Sequence, residues 1–132
     1  MTPDSSVVIA AFASWNPYHE AALESLGDVE DLVAHVEIEC YSVLTRLPAP
    51  FRADPSLVAR YLYEDYPGKR MVLPERDRRT LLGRLAQLSI SGGSVYDAVV
   101  GATAARHGRR LLSCDRRAAP TYDRLGVDVT YL

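Results

Sequence analysis

The chain alternates helical patterns with short, continuous apolar segments, and this alternation limits its possible folds more than any other feature. The apolar segments are Leu32–Ala34, "RMVL", "RRLLS" and "VDVTYL". Continuous apolar strands separated by helices are typical of a parallel sheet that is buried on both faces. The sequence therefore predicts an α/β fold with a mainly parallel sheet of about five strands flanked by helices.

Capping signals predict where several helices begin and end. In "NPYHEAALESLG", Asn16 is expected to cap the helix, Pro17 to occupy its first turn and Gly27 to end it. The loop "SISGGS" leads to Ser94, which is expected to cap a helix that begins with the next residue and ends at Gly108. The segment "APTYDRLG" predicts a short helix before the final strand.

The spacing of apolar residues predicts further helices. The Asp54–Pro55 pair opens a helix that runs to about Tyr63. The segment "VEIECYSVLTRL" carries one apolar stripe, formed by Val36, Cys40, Val43, Leu44 and Leu47. The segment "ERDRRTLLGRLAQL" is expected to point four leucines inward, namely Leu81, Leu82, Leu85 and Leu88. The early segment "SSVVIAAF" fits a strand, and it also fits a helix capped by Asp4 or a serine, so composition leaves both open.

The size and charge of the chain exclude several classes of protein. The length of 132 residues suits one domain spanning residues 1–132. No apolar stretch approaches the length of a membrane span, so we expect a soluble, cytoplasmic protein without membrane contact. The net charge of −2 argues against indiscriminate binding to nucleic acid. The segment from Ser94 to Arg117 is nevertheless positive, because it holds five arginines against two aspartates.

The cysteines and histidines do not suggest a zinc site. Cys40 and Cys114 stand far apart without metal-type spacing, so we expect two reduced structural thiols. His19, His35 and His107 are scattered along the chain and are expected to be structural.

Acidic residues lie next to the predicted strands, at positions where they add nothing to a core. Asp115 directly follows "LLSC", and Asp97 begins the helix that precedes this strand. Asp4 joins them if Met1–Pro3 forms a first strand. Because ligands of open parallel sheets bind beyond the carboxyl ends of the strands, we expect these acids to share one edge.

The helix that begins with "VEIEC" offers a fourth carboxylate. Glu37 and Glu39 flank its apolar stripe by similar angles, so periodicity does not choose between them. Two carboxylates about 5 Å apart repel each other by roughly 3 kcal/mol at an effective dielectric constant of about 20. Clustered acids therefore need protons or a cation, and oxygen-only ligands favour Mg²⁺ or Mn²⁺. Such ions can activate water for phosphodiester hydrolysis.

Four segments, in this order, resemble a PIN-domain nuclease: "DSSVVIAAF", "VEIECYSVLTRLP", "GGSVYDAVVGATAARHGRRLLSCDRRA" and "LGVDV". The most similar subgroup is the VapC-type toxins of bacterial toxin–antitoxin modules. The resemblance covers nearly the whole chain and is most specific from Gly92 to Ala118. It implies a PIN-like three-layer fold and an endoribonuclease that uses Mg²⁺ or Mn²⁺ held by acids at one edge of the sheet.

The resemblance also assigns site residues. It implies that four acids are catalytic and hold one or two metal ions, namely Asp4, Glu39, Asp97 and Asp115. Asp4 matches the first acid of a D-x-S motif, with Ser6 as its supporting hydroxyl. Glu39 matches the acid before "CYSVLTRL", which resolves the choice that periodicity left open. Asp115 matches the fourth acid, with Ser113 as a neighbouring hydroxyl.

Two features depart from the family pattern. The residues before Asp4 are Met-Thr-Pro, where the family usually has an apolar strand. Pro3 lacks a backbone N–H and is tolerated at a strand end or edge, so we expect the first strand to be short or frayed. Glu37 is an additional carboxylate that is expected at the rim of the pocket.

The resemblance further implies partners for this chain. These are an RNA substrate, a cognate antitoxin whose tail blocks the acidic cleft, and a second copy of the chain in a homodimer. Arg116 and Arg117, beside Asp115, are candidates for holding substrate phosphates, with plain surface charge as the alternative.

Other functions remain as alternatives. A receiver-like phosphoryl-switch domain needs a lysine near its acids, and the only lysine, Lys69, lies in a Pro-Gly-Lys turn far from the motif segments. A phosphatase of the haloacid dehalogenase type would have an aspartate where Ser6 stands. A non-catalytic PIN-fold binding module that has lost its metal is disfavoured because all four motif acids are present.

Overall fold

Short strands alternate with helices along the computed structural model, which describes residues 1–132. The first half of the chain contains β1 (Thr2–Pro3), α1 (Ser5–Phe12), α2 (His19–Leu26), β2 (Leu32–Val33), α3 (Ala34–Arg46) and α4 (Pro55–Glu64). The second half contains β3 (Arg70–Met71), α5 (Glu75–Gln87), α6 (Ser94–Arg106), β4 (Leu111–Ser113), a 3₁₀ turn (Arg116–Ala118), α7 (Ala119–Leu125) and β5 (Val129–Tyr131).

All strand pairs are parallel. Strands β1, β4 and β5 form one hydrogen-bonded ladder in that order, and β2 and β3 form a second. Strand β2 lies beside β1, so the spatial order across the molecule is β3-β2-β1-β4-β5. The structure confirms the predicted α/β architecture with a parallel sheet flanked by helices.

Pro3 accounts for the gap between the two ladders. The N–H groups of Thr2 and Asp4 donate to the Arg110 and Leu112 carbonyls of the β4 side, both at 2.9 Å. Successive residues of a strand address opposite neighbours, so the N–H that Pro3 lacks falls on the side of β2. The first strand is therefore short, as expected, but Thr2 and Pro3 are both buried.

The segment that fitted either a strand or a helix is the helix α1. The Asp4 side chain caps it by accepting hydrogen bonds from the N–H groups of Ser6 and Val7. This cap and the complete burial of Val7 and Val8 outweigh the low helix propensity of β-branched residues.

The other predicted helices and strands are present, with shifted boundaries in two helices. Helix α2 begins at His19, later than expected, because the Asn16 side chain accepts from the Tyr18 N–H and stabilises a turn before the helix. Ser94 lies inside α6 and does not cap it; Gly93 occupies the cap position without a side-chain hydrogen bond.

One prediction about inward-facing leucines needs correction. Leu82 is 70% exposed, whereas Leu81 and Leu85 are buried. Leu82 follows Leu81 by one position, which turns it about 100° around the helix and out of the buried stripe. Leu88, which directly follows α5, is half-buried and packs against the same apolar cluster as Leu81 and Leu85, as expected.

The main core joins α1, α3 and the sheet, with fully buried residues such as Val7, Val36 and Leu111. Close packing of α6 on α7 depends on Gly101, since a Cβ there would lie 2.9 Å from Val127 Cγ2 and 3.1 Å from Tyr122 Cδ1. This packing brings the Tyr122 hydroxyl to Asp4, directly after β1. Both cysteines are free thiols. None of the helices combines the length and apolarity needed to cross a bilayer.

Candidate active site

The order of the strands creates a cleft between β1 and β4. From β1 the chain proceeds to β2 and β3 on one side, and after α6 it returns to β4 and β5 on the other side. Segments that leave the carboxyl ends of β1 and β4 therefore diverge, and such a switch point is where open α/β sheets bind ligands. Asp4 directly follows β1, and Asp115 lies two residues beyond β4.

Asp4 forms the deep end of this cleft and is only 4% exposed. One of its oxygens accepts from the Ser6 N–H at 3.0 Å and from the Ser6 hydroxyl, and the other accepts from the Tyr122 hydroxyl at 3.2 Å. Burial raises the pKa of Asp4, while the hydroxyls of Ser113, Ser6 and Tyr122 oppose this rise. Asp4 is thus a buried acid whose charge is supported by hydrogen bonds from three elements.

The two predicted supporting serines connect the strand ends. The Ser6 hydroxyl, which donates to Asp4, also accepts from the Cys114 N–H at 2.8 Å. The Ser113 hydroxyl accepts from the Asp115 N–H at 3.0 Å. Ser6 therefore fixes the distance between the start of α1 and the loop after β4.

Glu39 extends from α3 toward the same edge. Its carboxylate accepts from the Ser5 hydroxyl at 2.7 Å, and His35 Nε2 lies 3.2 Å from its other oxygen. His35 and Glu39 are one helical turn apart, which places both on one face of α3.

Asp97 lies in the first turn of α6, across a groove from Glu39. Burial and then the negative charges of Glu39, Asp115 and Asp4 raise the pKa of Asp97 to about 6, while Arg117 opposes the rise. The side chain accepts no hydrogen bond from the protein and has no ion-pair partner. Asp97 is therefore the acid in this group whose charge the protein leaves uncompensated.

Asp115 lies in the loop between β4 and the 3₁₀ turn. It accepts from the N–H and the Nε of Arg117 at 2.9 and 3.1 Å. The Arg117 side chain is 93% exposed. The guanidinium of Arg116 lies 5.0 Å from the centre of the Tyr131 ring. Of the two predicted phosphate-binding arginines, Arg117 is thus paired with an acid and Arg116 lies over an aromatic ring.

Glu37 does not lie at the rim of this cleft, contrary to expectation. It forms an ion pair with Arg70, which also donates to the carbonyls of Leu62 and Gly68. Glu37 therefore faces the junction of α3, α4 and β3. Glu39, rather than Glu37, reaches the acidic edge because its flank of α3 faces α6.

The four carboxylates do not form a closed metal centre. No three histidine, cysteine or acidic side chains of the structure are gathered closely enough for a ready-made metal-binding group. The four acids nevertheless offer only oxygen donors, and Asp97 has a charge without a partner. Mg²⁺ keeps several waters and is usually held by one or two carboxylates, so an open, oxygen-only set of this kind fits the ion.

Sequence reasoning missed four residues at this edge: Ser5, His35, Tyr96 and Tyr122. Ser5 is the middle residue of the D-x-S motif, but nothing in the sequence ties Tyr122 to Asp4 across a separation of 118 positions. His35 belongs to the site, whereas His19 and His107 contact backbone carbonyls, as expected of structural histidines.

The position of Lys69 bears on the receiver-like alternative. Lys69 immediately precedes β3, and its carbonyl accepts from the Leu32 N–H at the start of β2. The lysine therefore lies at the amino-terminal edge of the parallel sheet, while the four acids lie at the carboxyl edge.

Comparisons with known proteins identify the family of this chain. The model of the PIN domain family matches residues 1–124. Ribonuclease VapC40 from two strains of Mycobacterium tuberculosis is 44% identical over 129 residues, which are 98% of this chain and 96% of that protein. Ribonuclease VapC27 from the same species is 41% identical over 120 residues, or 91% of this chain and 80% of that protein.

A solved structure shows the same fold. The structure of FitAB bound to an IR36 DNA fragment aligns with a TM-score of 0.69, covering 98% of this chain and 93% of that chain. The sequence identity is 16%, so this likeness concerns the fold alone.

Proposed function

Since this chain belongs to the PIN-domain family and has VapC ribonucleases among its relatives, we propose that it is a metal-dependent endoribonuclease and the toxin of a toxin–antitoxin pair. The observation that carries the proposal is the uncompensated charge of Asp97, which shares one edge of the sheet with three further acids. We also propose that the protein is cytoplasmic and that its residues 1–132 form a single domain.

Four acids would hold the ion in this proposal, directly or through water: Asp4, Glu39, Asp97 and Asp115. Bound Mg²⁺ or Mn²⁺ would supply a Lewis acid that lowers the pKa of water and offsets charge on phosphoryl oxygens. The protein supplies rigid support for the acids, since Ser6 and Tyr122 hold Asp4, and Ser5 holds Glu39. Fixed ligands keep the reacting groups aligned without reorganisation during the reaction.

Arg116 and Arg117 are proposed to contact substrate phosphates. Arg117 is highly exposed, so an RNA phosphate can compete with Asp115 for its guanidinium. The exchange would leave Asp115 free to act as a ligand when the substrate arrives.

An antitoxin as partner and a homodimer are also part of the proposal. Ile38, Tyr41 and Tyr63 are exposed around a shallow groove between α3 and α4. Ile38 also lines the groove beside Asp97, so the apolar surface adjoins the acidic cleft. Exposed apolar patches commonly mark protein interfaces. Light scattering of the chain alone tests the dimer, and copurification with the cognate antitoxin tests that partner.

Cleavage of total cellular RNA tests the main proposal. The purified chain is incubated with RNA in Mg²⁺, in EDTA, and in EDTA followed by excess Mn²⁺, and the cut ends are mapped. We expect cleavage with Mg²⁺, none in EDTA, and recovery with Mn²⁺. Asp97→Asn is expected to abolish cleavage with the fold intact, while Asp65→Asn, at an exposed position after α4, cleaves like the wild type. EDTA-resistant cleavage or full activity of Asp97→Asn would refute the proposal.

A further inference from the structure

A groove between α3 and α6 extends outward from the acids. It has a volume of about 390 Å³ and includes His35, Glu39, Ser42, Arg46, Tyr96 and Asp97. The four residues from α3 recur at helical spacing, so they form one continuous face from the acid to the end of the helix. The groove therefore offers a path for a substrate that reaches the acids.

Tyr96 presents an aromatic surface in this groove. It directly precedes Asp97 in the chain and is 56% exposed. Its ring stacks on His35, with the ring centres 5.2 Å apart and the planes inclined by 3°. His35 in turn contacts Glu39 at 3.2 Å. The stacking on His35 fixes the orientation of the Tyr96 ring, and more than half of its surface stays exposed beside Asp97.

Arg46 places a positive charge at the outer part of the groove. Its guanidinium donates to the Ser42 hydroxyl at 3.2 Å and has no acidic partner. By contrast, Arg70 is paired with Glu37, and Arg117 is paired with Asp115. Arg46 is therefore available to a negatively charged ligand without first breaking an ion pair.

We propose that Tyr96 is a stacking platform for a base of single-stranded RNA and that Arg46 binds a phosphate of the same strand. Single-stranded nucleic acids are bound by aromatic rings that stack on bases together with cations that follow the backbone. Bases within a duplex are already stacked and do not reach such a ring. The inference rests on the proposed ribonuclease function and assigns two residues of the groove to binding of the substrate strand.

Binding of a fluorescein-labelled, random-sequence RNA of about 12 nucleotides tests this inference by fluorescence anisotropy in EDTA, where metal-dependent cleavage is prevented. Tyr96→Ala is expected to weaken binding about 5- to 100-fold, while Tyr96→Phe keeps the affinity because the ring remains. Tyr18→Ala, which removes an exposed tyrosine at the start of α2 and away from both grooves, is the matched control and is expected to bind like the wild type.

Changes to the probe separate stacking from other contacts. An abasic strand of the same length is expected to bind Tyr96→Ala and the wild type equally, since it has no base to stack. A duplex of the same sequence pool is expected to show no effect of Tyr96→Ala. Arg46→Gln is expected to reduce the slope of log affinity against log salt by about 0.7, the value for one phosphate contact on a single strand.

The outcomes distinguish this inference from the proposed function. If the wild type cleaves RNA but Tyr96→Ala binds the single strand unchanged, the stacking platform is refuted and the nuclease proposal stands. If Tyr96→Ala weakens binding of the abasic strand as much as binding of the normal strand, stacking is refuted. If Arg46→Gln binds RNA with the affinity and salt dependence of the wild type, the phosphate contact is refuted. If the wild type does not cleave RNA but Tyr96→Ala loses affinity, the nuclease proposal fails and the binding site remains. Thermal melting verifies that each variant is folded.

Discussion

The inner and outer ends of the acidic edge are built in opposite ways. At the inner end, Asp4 is buried and accepts hydrogen bonds from Ser6 and Tyr122. At the outer end, Asp97 accepts none and is half-buried beside other carboxylates. Burial raises the pKa of both acids, but hydrogen bonds from the protein oppose this rise at Asp4 and none does so at Asp97. Asp4 therefore helps to build the site, whereas Asp97 is available to bind a cation.

The largest expected effect distinguishes the two glutamates of α3. Glu39→Gln is expected to reduce RNA cleavage by about 100-fold or more, because it removes a charge at the acidic edge. Glu37→Gln is the matched control on the same helix, and it is expected to retain activity since Glu37 is paired with Arg70. Initial rates of cleavage with Mg²⁺ provide the measurement. Equal losses in both variants would contradict the assignment of Glu39.

The inner end is expected to dominate stability. Asp4→Ala removes the cap of α1 and leaves the Tyr122 hydroxyl without its acceptor, so the free energy of unfolding should fall by about 3 kcal/mol. Asp97→Ala should not lower it. Urea unfolding of both variants in EDTA measures the contrast. If the two substitutions destabilise the protein equally, the inner and outer ends do not differ as described.

The pH dependence of stability isolates the outer end. The pKa of Asp97 is raised from 3.8 to about 6, so the folded protein holds this proton more tightly than the unfolded chain does. In EDTA, the contribution of Asp97 to the free energy of unfolding should therefore fall as the pH rises from about 4 through about 6. Asp97→Asn lacks this loss, and it should be more stable at pH 7 by about 1 kcal/mol after solvent screening is considered.

Unfolding of the wild type and Asp97→Asn across that pH range measures this difference. The two proteins should approach equal stability below about pH 4 and diverge above it. Asp97→Asn being less stable at pH 7 would show that the Asp97 charge is compensated in the folded protein.

The smallest expected effect concerns Arg117. Because its side chain is 93% exposed, Arg117→Gln should change the rate of RNA cleavage only a few-fold, mainly through weaker binding of substrate. Rates at low and high substrate concentrations separate binding from the chemical step. A loss comparable to that of Glu39→Gln would place Arg117 among the groups that the chemical step requires.

The acidic edge could largely be predicted from the sequence, because the ends of short apolar strands are easy to locate. The apolar run before Asp115 predicts this acid at the carboxyl edge, and Asp4 is expected to join it only if residues 1–3 form a strand, as β1 does. Short apolar strands and capping residues are local signals, which is why the α/β alternation was predictable. Asn16 and Ser94 show the limit, since each is a good cap by type but the helix starts elsewhere.

The remaining features depend on packing between distant elements. Periodicity leaves Glu37 and Glu39 equivalent until α6 approaches one flank of α3 and Arg70 approaches the other. Tyr122 reaches Asp4 only because Gly101 lets α6 and α7 pack closely. The stacking of Tyr96 on His35 likewise requires two helices that are separated by half of the chain. No local pattern carries such information.

Calorimetric titration of Mn²⁺ into the metal-free protein tests the central claim most directly, namely that these acids jointly form a site for a divalent cation. The wild type and the Asp65→Asn control are expected to bind Mn²⁺ saturably, and Asp97→Asn is expected to bind it at least about tenfold more weakly, since it loses the one uncompensated carboxylate. Absence of saturable binding by the wild type, or equal binding by Asp97→Asn, would contradict the account.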